Sequence, residues 1–185
     1  SEIKTDNSGF SYESVSNDPT ALRLYTLDNG LTVYLSKNTD EPKIQTYIAI
    51  RAGSNYDPKE STGLAHYLEH MVFKGTSKIG TINWEKEKEY LDKITSLYEK
   101  HRSEVDPLKK LELYKEIDAV SLEASNYSVA NEYDKMMSSL GATGTNAHTW
   151  FEETVYKNKI PANELTKWLN LETERFIELV LRIFL

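Results

Sequence analysis

The residues best suited to chemistry are His66, Glu69 and His70, in the run His66-Tyr67-Leu68-Glu69-His70. Positions i, i+3 and i+4 share one face of an α-helix. His66, Glu69 and His70 should therefore point the same way, with Tyr67 and Leu68 left to pack. Two imidazoles on one helical face can bind Zn²⁺. A carboxylate beside them that is not a ligand can accept a proton from water. Two histidines hydrogen-bonded on a partly buried helix would carry the same spacing, so the surrounding elements must decide.

Those elements are legible from hydrophobic period and turn chemistry. Residues 1–20 are rich in Ser, Asn and Asp with no sustained period, which predicts a flexible lead-in. Leu22–Thr26 and Leu31–Leu35 flank the turn signal Asp28-Asn29-Gly30, which predicts a β-hairpin. Ile44, Thr46, Ile48 and Ile50 mark one face of a further strand. The helix bearing the histidines should begin near Ser61 or Thr62, either of which could cap it, and stop at Gly75.

From Trp84 the period turns helical. Leu91, Ile94, Leu97 and Tyr98 mark one helix, and Leu108, Leu111, Tyr114, Ile117, Val120 and Ala124 a second, with Pro107 placed for its first turn. Together they predict an αα-hairpin. Val129, Tyr133, Met136, Met137 and Leu140 mark a third helix that ends at Gly141. The small-residue stretch Gly144–Thr149 and the run Thr154–Tyr156 could form two paired strands. Pro161 opens a last helix bearing Leu165, Trp168, Leu169, Glu172 and Phe176. The chain then runs apolar from Phe176 to Leu185, the pattern of a sequence cut inside a larger protein, and an exposed helix there would favour self-association.

Composition narrows the classes. A hydrophobic content of 39% and a charged content of 28% are those of a globular domain. Without cysteine there is no disulfide and no thiol catalysis, which disfavours a lyase that pairs the same histidine pattern with a catalytic cysteine. A net charge of −7 argues against nucleic-acid binding, and no apolar run is long enough to span a membrane.

The stretch His66–Thr76 resembles the inverted-zincin signature of the pitrilysin/insulinase metallopeptidase family. Leu27–Val33 resembles that family's N-terminal hairpin. Ala52-Gly53-Ser54 and Gly63–His66 resemble its approach to the zinc helix, and Gly144–Thr149 resembles its substrate-binding edge strand, with His148 where an aromatic is usual. The block at about 83–140 resembles a helical insertion of a large bacterial subgroup.

The resemblance implies an α+β fold, an antiparallel-rich sheet with helices packed on one face plus the inserted helical hairpin. Residues 21–185 would form a truncated N-terminal peptidase domain. It implies His66 and His70 as zinc ligands, Glu69 as general base, and Asn146 and Ala147 as the edge that adds an extended peptide to the sheet. The implied function is zinc-dependent endopeptidase cleavage of extended peptides or unfolded segments. A non-catalytic peptide-binding or scaffolding subunit is the alternative. The family's third ligand, a glutamate on a later helix, is expected beyond Leu185. That predicts weak or absent zinc and an inactive fragment, and it makes the remaining C-terminal part a partner. Glu172, Glu174 and Glu178 are expected to be surface or packing residues. The subgroup points to the periplasm or cell envelope.

Overall fold

The computed structural model describes residues 1–182. They form two units, Ser1–Pro42 and the chain from Lys43 onward.

The first unit is a four-stranded antiparallel meander of β1 (Glu2–Thr5), β2 (Ser11–Ser14), β3 (Arg23–Thr26) and β4 (Thr32–Leu35). The expected hairpin is present as β3–β4, with Leu24 opposite Tyr34. Gly30 takes φ 86° in its turn, a conformation that costs a Cβ-bearing residue more than glycine. The lead-in expected over residues 1–20 instead carries β1 and β2. Asp6 supplies the missing turn chemistry, since its carboxylate accepts the backbone N–H groups of Ser8 and Phe10, each at 2.9 Å. The Phe10 amide, and to a lesser extent that of Ser8, holds the Asp6 carboxyl below its usual range.

The second unit is built on a three-stranded antiparallel sheet of order β5–β7–β6: β5 (Lys43–Ile50), β7 (Thr154–Pro161) and β6 (Thr143–Thr149). The predicted strand face is confirmed. Ile44, Thr46 and Ile48 lie opposite Ile160, Asn158 and Tyr156, and Ile44 and Ile48 pack against the core. That core joins Ile79, Tyr133, Met137, Ile160 and Trp168. Each large apolar side chain fully buried there contributes about 1.5–3 kcal/mol. The fold is α+β, as expected, with α1 (Leu64–Val72), α4 (Glu132–Ser139) and α5 (Leu165–Ile177) packed on this sheet.

The αα-hairpin is present as α2 (Trp84–Ser103) and α3 (Pro107–Ser125). Asn83 and Asp106 cap the two helices through the N–H groups of Lys86 and Leu108, and Pro107 occupies the first turn of α3. Ile94, Leu97, Ile117, Val120 and Ala124 form its own small core. Leu108 and Leu111, expected on that face, are exposed.

The apolar C-terminal run departs from expectation. Helix α5 ends at Ile177, and residues 178–182 are not helical. Val180 and Arg182 are buried, while Leu179 and Leu181 stay open. The Arg182 guanidinium donates to both Glu87 carboxylate oxygens, at 2.6 and 3.0 Å, and to the carbonyls of Lys74 and Thr76 at 2.9 and 2.8 Å. A buried ion pair therefore ties this segment to α2, and residues 178–182 do not continue the helix, although Ile177, Leu179 and Leu181 are exposed. Ile183, Phe184 and Leu185 lie outside the described residues.

Candidate metal centre

Helix α1 is fixed at its start by Asp57, which accepts from the N–H groups of Gly63 at 2.7 Å and Ala65 at 2.9 Å. The expected caps, Ser61 and Thr62, do not serve. A carboxylate six residues before Gly63 reaches the orphan donors instead, and Gly63 makes the entry with φ 88°. The loop before it is clamped as well. Ser54 and Asn55 donate to the carbonyls of Trp150 and Phe151, each at 2.9 Å. Gly53 lies so close to this turn that a Cβ there would meet the Trp150 carbonyl oxygen at 2.4 Å.

On α1 the two imidazoles meet, with Nε2 of His66 and Nε2 of His70 3.1 Å apart. Two nitrogens bound to one tetrahedral zinc at about 2.05 Å would stand roughly 3.3 Å apart. The pair thus fits two zinc ligands with little movement. At that distance one ring can donate to the other, the direction depending on the tautomer. Both rings are exposed, whereas Glu69 is buried. Its carboxylate turns toward the sheet, where it accepts the Thr149 hydroxyl at 2.5 Å. The three residues share the side of α1 toward β6 only in part, because the imidazoles stay in the open while the carboxylate is sequestered. Tyr67 and Leu68, expected to pack, are exposed.

No third His, Cys, Asp or Glu joins the pair to make a metal-binding group among the described residues. The three downstream carboxylates are engaged elsewhere. Glu172 is buried, where it accepts the Tyr133 hydroxyl at 2.5 Å and Arg175 at 2.7 and 3.0 Å. Glu174 pairs with Lys78 at 2.9 Å, and Glu178 accepts from Ser77 at 2.6 Å. The packing expectation for all three therefore matches their contacts.

Strand β6 is an edge of its sheet among the described residues. Ala147 lies opposite Tyr156 and Thr149 opposite Thr154, so these alternate residues share the face toward Glu69. Asn146 and His148 fall on the other face and are exposed, and His148 stands 3.6 Å from Glu153. A register shift between Thr143 and Asn146 loosens the pairing at the strand's start. The structure thus brings Glu69 to the strand that holds Asn146 and Ala147 through Thr149, a residue whose hydroxyl had no assigned role in the sequence. Simple alternation from Ala147 along β6 would have pointed to it.

Behind the site Tyr156 is buried, and burial pushes its phenol up to about 12. The Arg175 charge opposes this rise, while Glu69 and Glu172 add to it. Burial likewise pushes the Tyr133 phenol far above its ordinary value, against the pull of Arg175.

Residues 32–95, which span β4 to α2 and contain all three motif residues, match the insulinase family, peptidase family M16. Over that third of its length the chain is similar to the family. A probable mitochondrial-processing peptidase subunit beta of Arabidopsis thaliana is 43% identical over 56 residues, 30% of this chain and 10% of that protein. The zinc protease YmxG of Bacillus subtilis is 38% identical over 56 residues, 30% of this chain and 14% of its own length. Among solved structures, a Helicobacter pylori protease superposes with a TM-score of 0.56 at 23% identity, over 86% of this chain and 26% of its own. Pitrilysin superposes at 0.56 and 18% identity, over 96% of this chain and 14% of its own. These last two likenesses bear on the fold of the chain, which spans a small part of each relative it matches.

Proposed function

We propose that this chain supplies two zinc ligands, His66 and His70, and the general base, Glu69, of a metalloendopeptidase that cleaves extended peptides. The observation that carries the reading is the 3.1 Å approach of the two Nε2 atoms beside a carboxylate that neither imidazole uses. Zinc, when bound, supplies Lewis acidity to water and to the scissile carbonyl. Glu69 takes a proton from the attacking water and returns it to the leaving amine. Strand β6 is a sheet edge among the described residues, so alternate backbone N–H and C=O groups along the stretch that holds Asn146 and Ala147 face away from β7, and an extended peptide can add there with little regard to its side chains. The small Ala147 leaves room for that second backbone.

A site with two histidines lacks the charged third ligand that would hold zinc firmly, and the carboxylate that completes it must come from outside the described residues. Zinc bound by this chain should therefore be weak, and hydrolysis should need the remainder of a complete site.

Titration calorimetry with zinc tests the ligands: His66→Ala and His70→Ala should each abolish binding. Glu69→Gln should keep zinc while removing peptide hydrolysis in the completed site. Zinc affinity equal to that of a three-ligand site would refute the missing-ligand reading, and hydrolysis retained by Glu69→Gln would exclude Glu69 as the base. Peptide captured on β6 without turnover in a completed site would identify a binding or scaffolding subunit instead, in line with the subunit named among its relatives.

A further inference from the structure

We propose that Thr149 is a positioning residue for Glu69, holding the carboxylate of the proposed base through a direct hydrogen bond from its hydroxyl. The inference rests on the reading of Glu69 as the base. Three oxygen–oxygen contacts run in series: Thr149 Oγ1 to Glu69 Oε2 at 2.5 Å, Thr149 Oγ1 to Thr154 Oγ1 at 3.1 Å, and Thr154 Oγ1 to the Ala52 carbonyl at 2.8 Å. Each hydroxyl carries one proton. A carbonyl only accepts, so the Thr154 proton is directed at Ala52. A carboxylate also only accepts, and its contact with Thr149 is the shorter of the two that Thr149 makes. The Thr149 proton is therefore directed at Glu69, in the charge-assisted range for O–H···O⁻.

The placement gives that bond leverage. Glu69 and Thr154 are 7% and 4% exposed, so little water can replace the hydroxyl. Thr154 sits on β7, the central strand, opposite Thr149 in the register. Ala52 precedes Gly53, whose loop is clamped to the β6–β7 turn. Thr149 lies two residues beyond Ala147 on the same face of β6. One strand thus carries both the proposed peptide edge and the anchor of the base, which fixes the carboxylate relative to a peptide bound alongside.

The test uses Thr149→Val and Thr149→Ala, which remove the hydroxyl with and without a branched side chain, and Thr149→Ser, which restores it. Carboxyl ¹³C NMR of glutamate-labelled protein reports on Glu69, assigned by the loss of its signal in Glu69→Gln. The Glu69 signal should move in Val and Ala and return to its wild-type position in Ser, while zinc affinity stays within about twofold because neither imidazole touches Thr149. In a chain with a completed site, Val and Ala should lower kcat about tenfold with KM unchanged, as expected for part of one charge-assisted bond, and Ser should recover most of it. A Glu69 signal that stays put in both hydroxyl-less variants, or a Ser variant that behaves like Val, would overturn the proposal. If Glu69→Gln still hydrolyses peptide, the peptidase reading fails, yet the Thr149-dependent shift of the Glu69 signal would remain.

Discussion

Replacing Glu172 with alanine separates a packing role from a metal role more sharply than any other change. The carboxylate is 3% exposed and accepts three hydrogen bonds, one from Tyr133 and two from Arg175. Arg175 is 2% exposed, and its guanidinium carbon lies over the rings of Tyr133, Tyr156, Phe176 and Phe73 at 4.2, 4.9, 4.9 and 5.1 Å. Ring faces stabilise a buried cation by about 2 kcal/mol, well short of the cost of taking the charge out of water. Without Glu172 the guanidinium loses its counter-charge and the Tyr133 hydroxyl its acceptor. Breaking a buried pair on one side costs about 3–5 kcal/mol. For a domain of this size that is a fall in Tm of roughly 6–20 °C. Urea unfolding followed by fluorescence of Trp168, which lies in the same core, reads the stability, and zinc calorimetry on the folded protein reads the metal. Glu172→Ala should lower the unfolding midpoint and leave zinc affinity unchanged. Glu172→Leu with Arg175→Met, which removes both charges at similar volume, should recover much of the loss. A Glu172→Ala protein with a wild-type midpoint and weakened zinc binding would refute the packing assignment.

The Tyr156 phenol, raised to about 12 by burial, keeps its proton in the fold while the unfolded chain loses it near 10. Its contribution is present below pH 10 and is lost as pH rises toward 12, about 2–3 kcal/mol in all, and Tyr156→Phe should flatten that alkaline slope in urea titrations across the window. Gly53→Ala places a Cβ 2.4 Å from the Trp150 oxygen and 2.6 Å from the Phe151 carbonyl carbon; it should destabilise by about 1–3 kcal/mol and speed hydrogen exchange at Ser54 and Asn55. Asp57→Ala removes both acceptors at the start of α1, costing about 1 kcal/mol, and, because His66 lies in that first turn, should weaken zinc binding in calorimetry. Arg182→Ala leaves Glu87 as a buried unpaired charge; it should cost about 3–5 kcal/mol and expose residues 178–182 to limited proteolysis.

What the sequence revealed follows the range of the forces involved. The αα-hairpin, Pro107 in the first turn of its second helix, and the alternation of Ile44, Thr46 and Ile48 depend on neighbours a few residues away, and each matched its prediction. The Gly144–Thr149 and Thr154–Tyr156 strands were also legible. Features that depend on distant partners were not. Strands β1 and β2 lie in a polar stretch with no apolar period, and the carboxylate of Asp6 organises their turn. The cap of α1 comes from Asp57 rather than Ser61 or Thr62. The C-terminal run read as a continuing helix because the pattern could not show that Arg182, its one charge between Leu179 and Leu185, would find Glu87 on α2. The histidines and Glu69 were visible by spacing, but spacing alone put all three on one open face. The split between exposed imidazoles and buried carboxylate is set by β6, across 80 residues of chain.

That split has a chemical consequence. A ligand must be reachable by the metal, whereas a base gains from being held in one orientation and kept from bulk water. Placing them at i, i+3 and i+4 on one helix sets the two needs against each other, since neighbours on a helical face tend to share one environment. The chain resolves the conflict by setting β6 against one flank of α1, so the strand covers Glu69 and stops short of the imidazoles. Helix α1 is also fixed at its start by Asp57. On the proposed two-ligand reading, zinc affinity should be limited by the number of ligands among the described residues more than by the cost of bringing His66 and His70 together.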